Sequence, residues 1–502
     1  MIAVELTAAT DAAGTTSTFY VANDRLVTES ADTPAKTAFL PRLVDPGYIG
    51  RHAYSDGRTG GATKLETGEI IIANQDGALD AWLAYSFDGR AVTIRSGTAG
   101  DAYPSAWTTV MTGTADGIKA DEARIIINLR DKSWLFDKPA SGTVYAGSNS
   151  LPAGLEGTAA DIKGQKKPKI YGKVYNIAPP FVNTSRLIYE SGVCNSVDAV
   201  YDQGLALTAG ATYTDQSDME TNAPAAGAYR VWVAGGYFRL GSTPAGEITA
   251  DATAGANAAA RTTAQILKQL ALDAGLFSGD ISSADVTALD SANSAVIGLW
   301  LRDESTLEAM DQAAASIGAW YGFDTVGTLR LGRLAAPSGT PVATLYDYAI
   351  QSIERRPPKD AGTPIWRVTL AHSRNYLRQP SDLAGAVSAA RRALLAQETL
   401  TETSADATIK TQWLLAGELN VAGQLAAAAD AATEAARQLT LHKARRDIFD
   451  VAVPISAAAG VDMMDVVRVV YPRFALDAGK DFRVIGIRLE LASARVILSL
   501  WG

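Results

Sequence analysis

Residues 1–140 are built from short runs of alternating apolar and polar side chains separated by Asp-Gly pairs, and that rhythm restricts the fold more than any other feature of the chain. A period of two gives one apolar and one polar face only when the run is a strand. Such runs fall at Ile2 to Thr7, Ser17 to Ala22, Glu69 to Ala73, Ala91 to Ser96, Thr108 to Thr114 and Ala123 to Leu129. Between them stand Asp56-Gly57, Asp76-Gly77, Asp88-Gly89 and Asp116-Gly117, whose glycines accept positive φ and close tight turns. Many short strands joined this way predict a sandwich or barrel.

The segment from Lys163 to Glu190, KGQKKPKIYGKVYNIAPPFVNTSRLIYE, forms a seam. Pro168 and the Pro179-Pro180 pair have no N–H to donate and fix φ, so the segment reads as an extended edge strand between rigid turns. Its lysines, Lys163 to Lys173, suit either a protected sheet edge or a contact between domains or subunits. Further strands follow at Leu187 to Tyr189, Val197 to Tyr201 and Tyr229 to Val233, the last before Gly235-Gly236.

The period then changes. Ile266, Leu267, Leu270 and Ala274 share one face of a helix predicted over 258–274, with Gly275 as its C-terminal cap. Ser305-x-x-Glu308 forms a capping box at the head of a second helix carrying Leu307, Met310, Ala314 and Ile317, and a strand pair, Trp320 to Asp324 and Thr328 to Leu334, follows. Beyond Pro337-Ser338-Gly339, a strand covers PIWRVTL (364–370), and Pro380-Ser381 opens a helix striped by Leu383, Val387, Ala390 and Leu394. An alanine-rich helix runs from about Gly423 to Arg446 and ends in His442, Lys443, Arg445 and Arg446, cations that suit its dipole. Four strands close the chain: Phe449 to Ile455, Asp465 to Tyr471, Phe482 to Leu491 and Arg495 to Trp501.

These elements predict an α+β, mainly β, multidomain protein with barrel or sandwich domains, a small α+β insertion and two alanine-rich helices near the C-terminus. The expected units are 1–150, a connecting β domain at 151–240 that holds the seam, an insertion at 241–336 displaced outward, and 337–502. At 502 residues and 47% apolar the chain has ample core. Its single cysteine, Cys194, excludes an intrachain disulfide framework and a four-cysteine zinc site. There is no apolar run long enough for a membrane-spanning helix, and MIAVELTAAT lacks the features of a signal peptide, so a chain that is made in, and starts out in, a cytoplasm without crossing a membrane is expected. A formal charge of −9 argues against tight nucleic-acid binding.

Motifs that carry chemistry are scarce. HExxH, GxSxG, GxxxxGK[ST] and a strand-linked GxGxxG do not occur. Asn74 to Asp80 resembles the start of a calcium loop but lacks the terminal acidic ligand, so it reads as a turn. Asp131 and Asp137 flank Trp134, where an aromatic plug at a strand end outweighs a sugar-stacking platform. His52, His372 and His442 are widely separated, and His442 sits in a basic helix end. No catalytic, cofactor-binding or metal residue is assigned, and no cofactor is expected.

The order of features resembles the tail hub or baseplate hub proteins of long-tailed bacteriophages and prophages. The resemblance is carried by ETGEIIIANQDGALD, the GQKKPKIYGKVYNIAPPFVN seam, the A-x-x-A-x-x-E-A-A-R helix at 428–437, and the closing MMDVVRVVYPRFALDAGKDFRVIGI and VILSLWG. It spans essentially the whole chain. One departure stands out: Met464 stands where a glycine is expected before Asp465. The resemblance implies a structural protein rather than an enzyme. It would form a homotrimeric ring closing the distal end of the tail tube, in a virion assembled in the bacterial cytoplasm. Its partners would be the tail tube or distal tail protein, the tape measure protein and tail fibre or spike proteins, with DNA only passing through. Two other classes fit the sequence: a carbohydrate-active enzyme with paired carboxylates, and a sugar-binding module using Trp82, Trp107, Trp134 or Trp232.

Overall fold

A computed structural model describes residues 1–53, 61–356 and 363–502. The protein is mainly β, with 41% strand and 19% helix. Asp56-Gly57 lies outside the described residues.

The first sheet has seven strands in the order Thr16–Ala22, Ile2–Ala9, Ala91–Ser96, Thr108–Ala120, Arg124–Arg130, Glu69–Ala73 and Leu43–Asp45. Alternation does the work expected of it: Val4, Leu6, Ile70, Ile72, Ile94, Ile125 and Ile127 meet in one core. Asp116-Gly117 is not a turn between strands. It lies within Thr108–Ala120, where Gly117 (φ 145°) lets the register shift against the neighbouring strand. The extra residue is absorbed as a bulge, for which a glycine serves as well as it serves a turn.

The seam strand, Lys169–Ile177, is not at an edge. It pairs with Ile248–Thr253 on one side and Gly298–Leu301 on the other, inside a five-stranded sheet. Its prolines lie outside the strand ends, so no ladder hydrogen bond is lost. Gly172 explains the close pairing. Its φ is +68°, and a Cβ there would come within 1.8 Å of the Ile297 carbonyl oxygen. Lys167 pairs with Glu156, and Lys169 Nζ lies 3.5 Å from Asp273, so these seam lysines bind within the chain. A second five-stranded sheet, including Ile188–Glu190, Tyr237–Leu240 and Ala228–Trp232, shares a core with the first through Val174, Val200, Phe238 and Ala250.

Seven α-helices fall among the described residues, beside seven short 3-10 turns: α1 (Gln216–Thr221), α2 (Thr263–Asp273), α3 (Ser283–Ala292), α4 (Thr306–Ala315), α5 (Ala389–Leu395), α6 (Ile409–Gln412) and α7 (Ala428–His442). The Ser305 capping box is present with both reciprocal hydrogen bonds at the head of α4. The helix expected from Pro380 begins only at Ala389, because Asp382 (φ 59°) takes a left-handed turn and Ser388 supplies the N-cap. The long alanine-rich helix starts at Ala428, not near Gly423, because Gly417–Leu425 is a strand.

The segment between 241 and 336 does not stand off as an outward insertion. Leu267 and Leu270 of α2 with Met310 and Ala313 of α4 fill the middle of a core that also takes Phe136, Tyr171, Val368, Leu370, Ala431 and Ala435. The closing strands form an eight-stranded sheet whose main path is Ala343–Tyr346, Val466–Tyr471, Leu476–Glu490, Arg495–Trp501, Ile448–Pro454 and Ser352–Arg356. Tyr48–His52 from the start of the chain pairs with Leu476–Glu490, and Lys64–Thr67 pairs with Tyr48–His52 as the eighth strand.

Candidate functional site

The histidines sit in structural positions. His442 is buried at the C-terminal end of α7, where burial, then Arg437 and Arg446, push its pKa down to about 4. His372 is buried beside Ser373, its Nδ1 2.9 Å from Ser373 Oγ, and burial lowers its pKa against the pull of Glu402. His52 lies opposite Gly486 on paired strands. Trp82 and Trp107, each 5% exposed, are core residues and offer no sugar platform. Trp134 lies under Lys138, with Nζ 4.8 Å from the ring, and Trp232 stacks on Tyr237.

The acidic stretches also close on themselves. In the 74–80 turn, Asn74 Nδ2 donates to Asp80 at 2.8 Å, and Arg42 holds Asp76 through bonds of 2.7 and 2.6 Å. Asp131 caps the turn Lys132–Asp137 by accepting from Ser133 N, and Asp137 receives Arg130 at 3.0 Å. Among the described residues no group of three metal-ligating side chains converges. No described helix is long and apolar enough to cross a membrane.

Two cavities lie between segments distant in sequence. One, of about 240 Å³, is lined by Tyr175, Asn176, Asp251, Arg391 and three leucines. Asp251 is the only carboxylate in that lining; burial raises its pKa, and it accepts from Asn176 N at 2.7 Å and Tyr201 OH at 2.8 Å. The other, of about 160 Å³, contains a clasp in which Asp462 joins Arg51 to Arg330 and Arg330 also binds Asp285. Burial raises the Asp462 carboxyl, but Arg51 and Arg330 more than offset it and hold its pKa below the usual range. This clasp links the Tyr48–His52 strand, the Leu329–Arg333 strand and the turn before Val466. Met464, where glycine was expected, takes φ +69°, so the turn keeps a glycine-like backbone while its side chain packs on the core. Neither cavity places a free carboxylate pair in an aromatic groove, the arrangement that glycoside hydrolysis uses.

The surface is different in character. Among the described residues, the Ala343–Tyr346 strand pairs only with Val466–Tyr471 and ends its sheet. Beside that edge stand Val342 (55% exposed), Tyr346 (43%) and Tyr348 (84%). The two tyrosine rings stack with centroids 5.5 Å apart. A free strand edge carrying apolar side chains is a template for pairing with another chain. Nothing local in the sequence marked this edge, because an edge is defined by which strands fail to pair.

No family model matches this chain, and no curated protein matches it. Among solved structures it is similar to the 43 kDa tail protein of prophage MuSo2 from Shewanella oneidensis, at 12% identity over 93% of this chain and 96% of that one, with a TM-score of 0.40. It is similar to a tail protein from Neisseria meningitidis, at 12% identity over 92% and 95%, with a TM-score of 0.42. A prophage tail protein from Listeria monocytogenes aligns at 8% identity over 90% and 94%, with a TM-score of 0.32. At TM-scores of 0.42 and below, these similarities decide nothing about what this chain does.

Proposed function

We propose that this chain is a structural protein of a phage tail, and that copies of it, three in the simplest arrangement, form a ring closing the distal end of the tail tube. The observation that carries the reading is the free Ala343–Tyr346 edge with its exposed Val342, Tyr346 and Tyr348. A head-to-tail contact through such an edge closes into a ring when the rotation is right. The rest of the ring would engage the tube or distal tail protein, the tape measure protein and fibres or spikes. The acidic balance of the chain, −9, suits a channel through which DNA slides without adhering. The clasp at Arg51, Asp462, Arg330 and Asp285 holds early, middle and late segments together as one subunit.

The test is the solution mass by light scattering of the full chain and of a Tyr346→Ser/Tyr348→Ser variant. The expected result is an oligomer for the parent and a monomer with unchanged circular dichroism for the variant. A parent that stays monomeric over a wide concentration range, or a variant that assembles as the parent does, overturns the assignment of this edge.

A further inference from the structure

Between α6 and the Gly417–Leu425 strand the chain makes a tight turn, Trp413-Leu414-Leu415-Ala416, closed by a hydrogen bond of 2.9 Å from Ala416 N to Trp413 O. The centre of such a turn is normally glycine, asparagine, aspartate, proline or serine, because those residues favour its backbone and tolerate water. Here the two central residues are leucines, 83% and 91% exposed. No propensity or packing in the chain accounts for two leucines at an apex, so something outside the chain does.

The surroundings say what. Two half-buried indoles flank the turn: Trp413, its first residue, and Trp366, on the strand whose Ile365 pairs with Gly417 just after the turn. Each is attended by a cation: Arg445 lies 5.7 Å from the Trp413 ring, and Lys410 Nζ lies 3.9 Å from the Trp366 ring. Arg445 shares Asp447 with Arg355 and Lys480, so three cations meet one carboxylate there. Counting Asp406 and Glu418, which stand 3.5 Å from Lys443 and 3.9 Å from Arg367, the cations Lys410, Arg445, Lys443, Arg367, Arg355 and Lys480 still outnumber the carboxylates Asp406, Glu418 and Asp447 here, on a chain whose net charge is −9. The layering runs from aliphatic apex to aromatic shoulder to cationic collar. It matches the polarity profile of a bilayer surface, where acyl chains lie below an aromatic-favouring interface and a phosphate layer. The apex projects, whereas a protein partner would need a matching pocket and would favour tryptophan or arginine over leucine at its centre.

We propose that the Trp413–Ala416 turn is a membrane-contact tip, which seats Leu414 and Leu415 at the headgroup–acyl boundary of an anionic phospholipid bilayer while Lys410 and Arg445 reach the phosphates. The proposal stands on this turn and does not require the tail reading; if both hold, the tip is where a tail end meets the host membrane.

The test is flotation of the full chain with vesicles of phosphatidylcholine containing about one-third phosphatidylglycerol, and with phosphatidylcholine alone, at low and at molar salt. The parent should float with the anionic vesicles at low salt and separate from them at molar salt. Leu414→Ser/Leu415→Ser should weaken binding by about tenfold or more. Lys410→Glu, which leaves the apex intact, should reduce the preference for anionic lipid. Failure of the parent to float with anionic vesicles, equal binding to neutral ones, or unaltered binding by the serine variant overturns the proposal. So does a serine variant that loses solution mass instead, which would make the turn a subunit contact. A ring that ignores vesicles contradicts this proposal alone, and a monomer that floats contradicts the ring alone.

Discussion

Replacing Glu434 by alanine should loosen the contact between α7 and the rest of the chain more than almost any other single change. The carboxylate is 1% exposed, and Arg437 grips it through Nε at 2.9 Å and Nη2 at 2.6 Å. Gln438 Nε2 donates to it at 2.9 Å, and Arg333 stands 3.5 Å away. Arg437 also donates to the carbonyls of Leu334 and Ile317, so this group fastens α7 to the segments after α4. Without Glu434, Arg437 and Arg333 keep their backbone acceptors but lose their buried counter-charge, and the Gln438 amide loses an acceptor. Breaking a buried pair on one side costs about 3–5 kcal/mol, and the 25% exposure of Arg437 places the cost toward the lower end. Native-state hydrogen exchange on the α7 amides measures this locally, where whole-chain melting of a multidomain protein does not. Their exchange should quicken by roughly a hundredfold to a few thousandfold. In the Glu434→Ala/Arg437→Met double variant the cost should fall well below the sum of the two single ones. An acceleration of less than about tenfold in the single variant refutes the reasoning, since it would mean that the buried carboxylate contributes no more than a surface pair.

Other substitutions separate local from long-range contributions. Gly172→Ala puts a Cβ within 1.8 Å of the Ile297 carbonyl at φ +68°, and a local loss of about 2–4 kcal/mol, read as faster hydrogen exchange of the Lys169–Ile177 amides, is expected. Ser305→Ala removes one half of the capping box on α4 and should cost about 1 kcal/mol, read as faster exchange in its first turn. Burial and the neighbouring Arg437 and Arg446 push the folded pKa of His442 down to about 4 from an ordinary 6.5, so the unfolded chain takes its proton first as pH falls. Its contribution is complete above the unfolded value and is lost as pH drops from 6.5 toward 4, to a limit of about 3 kcal/mol. Native-state hydrogen exchange of the α7 amides in His442→Gln across that window should therefore show a flatter dependence of local stability on pH than in the parent.

Local chemistry was legible in the sequence, and pairing between distant segments was not. Glu69–Ala73, Ala91–Ser96 and Arg495–Trp501 fall on the residues that period-two alternation picks out. The Ser305 box works as its spacing requires. The same tools failed where two structures share one signal: Asp116-Gly117 satisfies a bulge as well as a turn, and proline at both ends of Lys169–Ile177 suits an inner strand as well as an edge. α3 was missed because its apolar stripe is only Val286 and Leu289. The pairing of Tyr48–His52 with Leu476–Glu490 joins opposite ends of the chain, and no local pattern encodes it. The exposed edge at Ala343–Tyr346 and the Leu414-Leu415 apex became visible only once burial was known.

The ring is tested most directly by electron microscopy of the purified full chain at the concentration where light scattering is read. Particles with threefold or sixfold symmetry around an open channel, with Ala343–Tyr346 at the contact between subunits, are the expected result. Uniform single-chain particles at every concentration, with Tyr346 and Tyr348 left in solvent, would contradict the account.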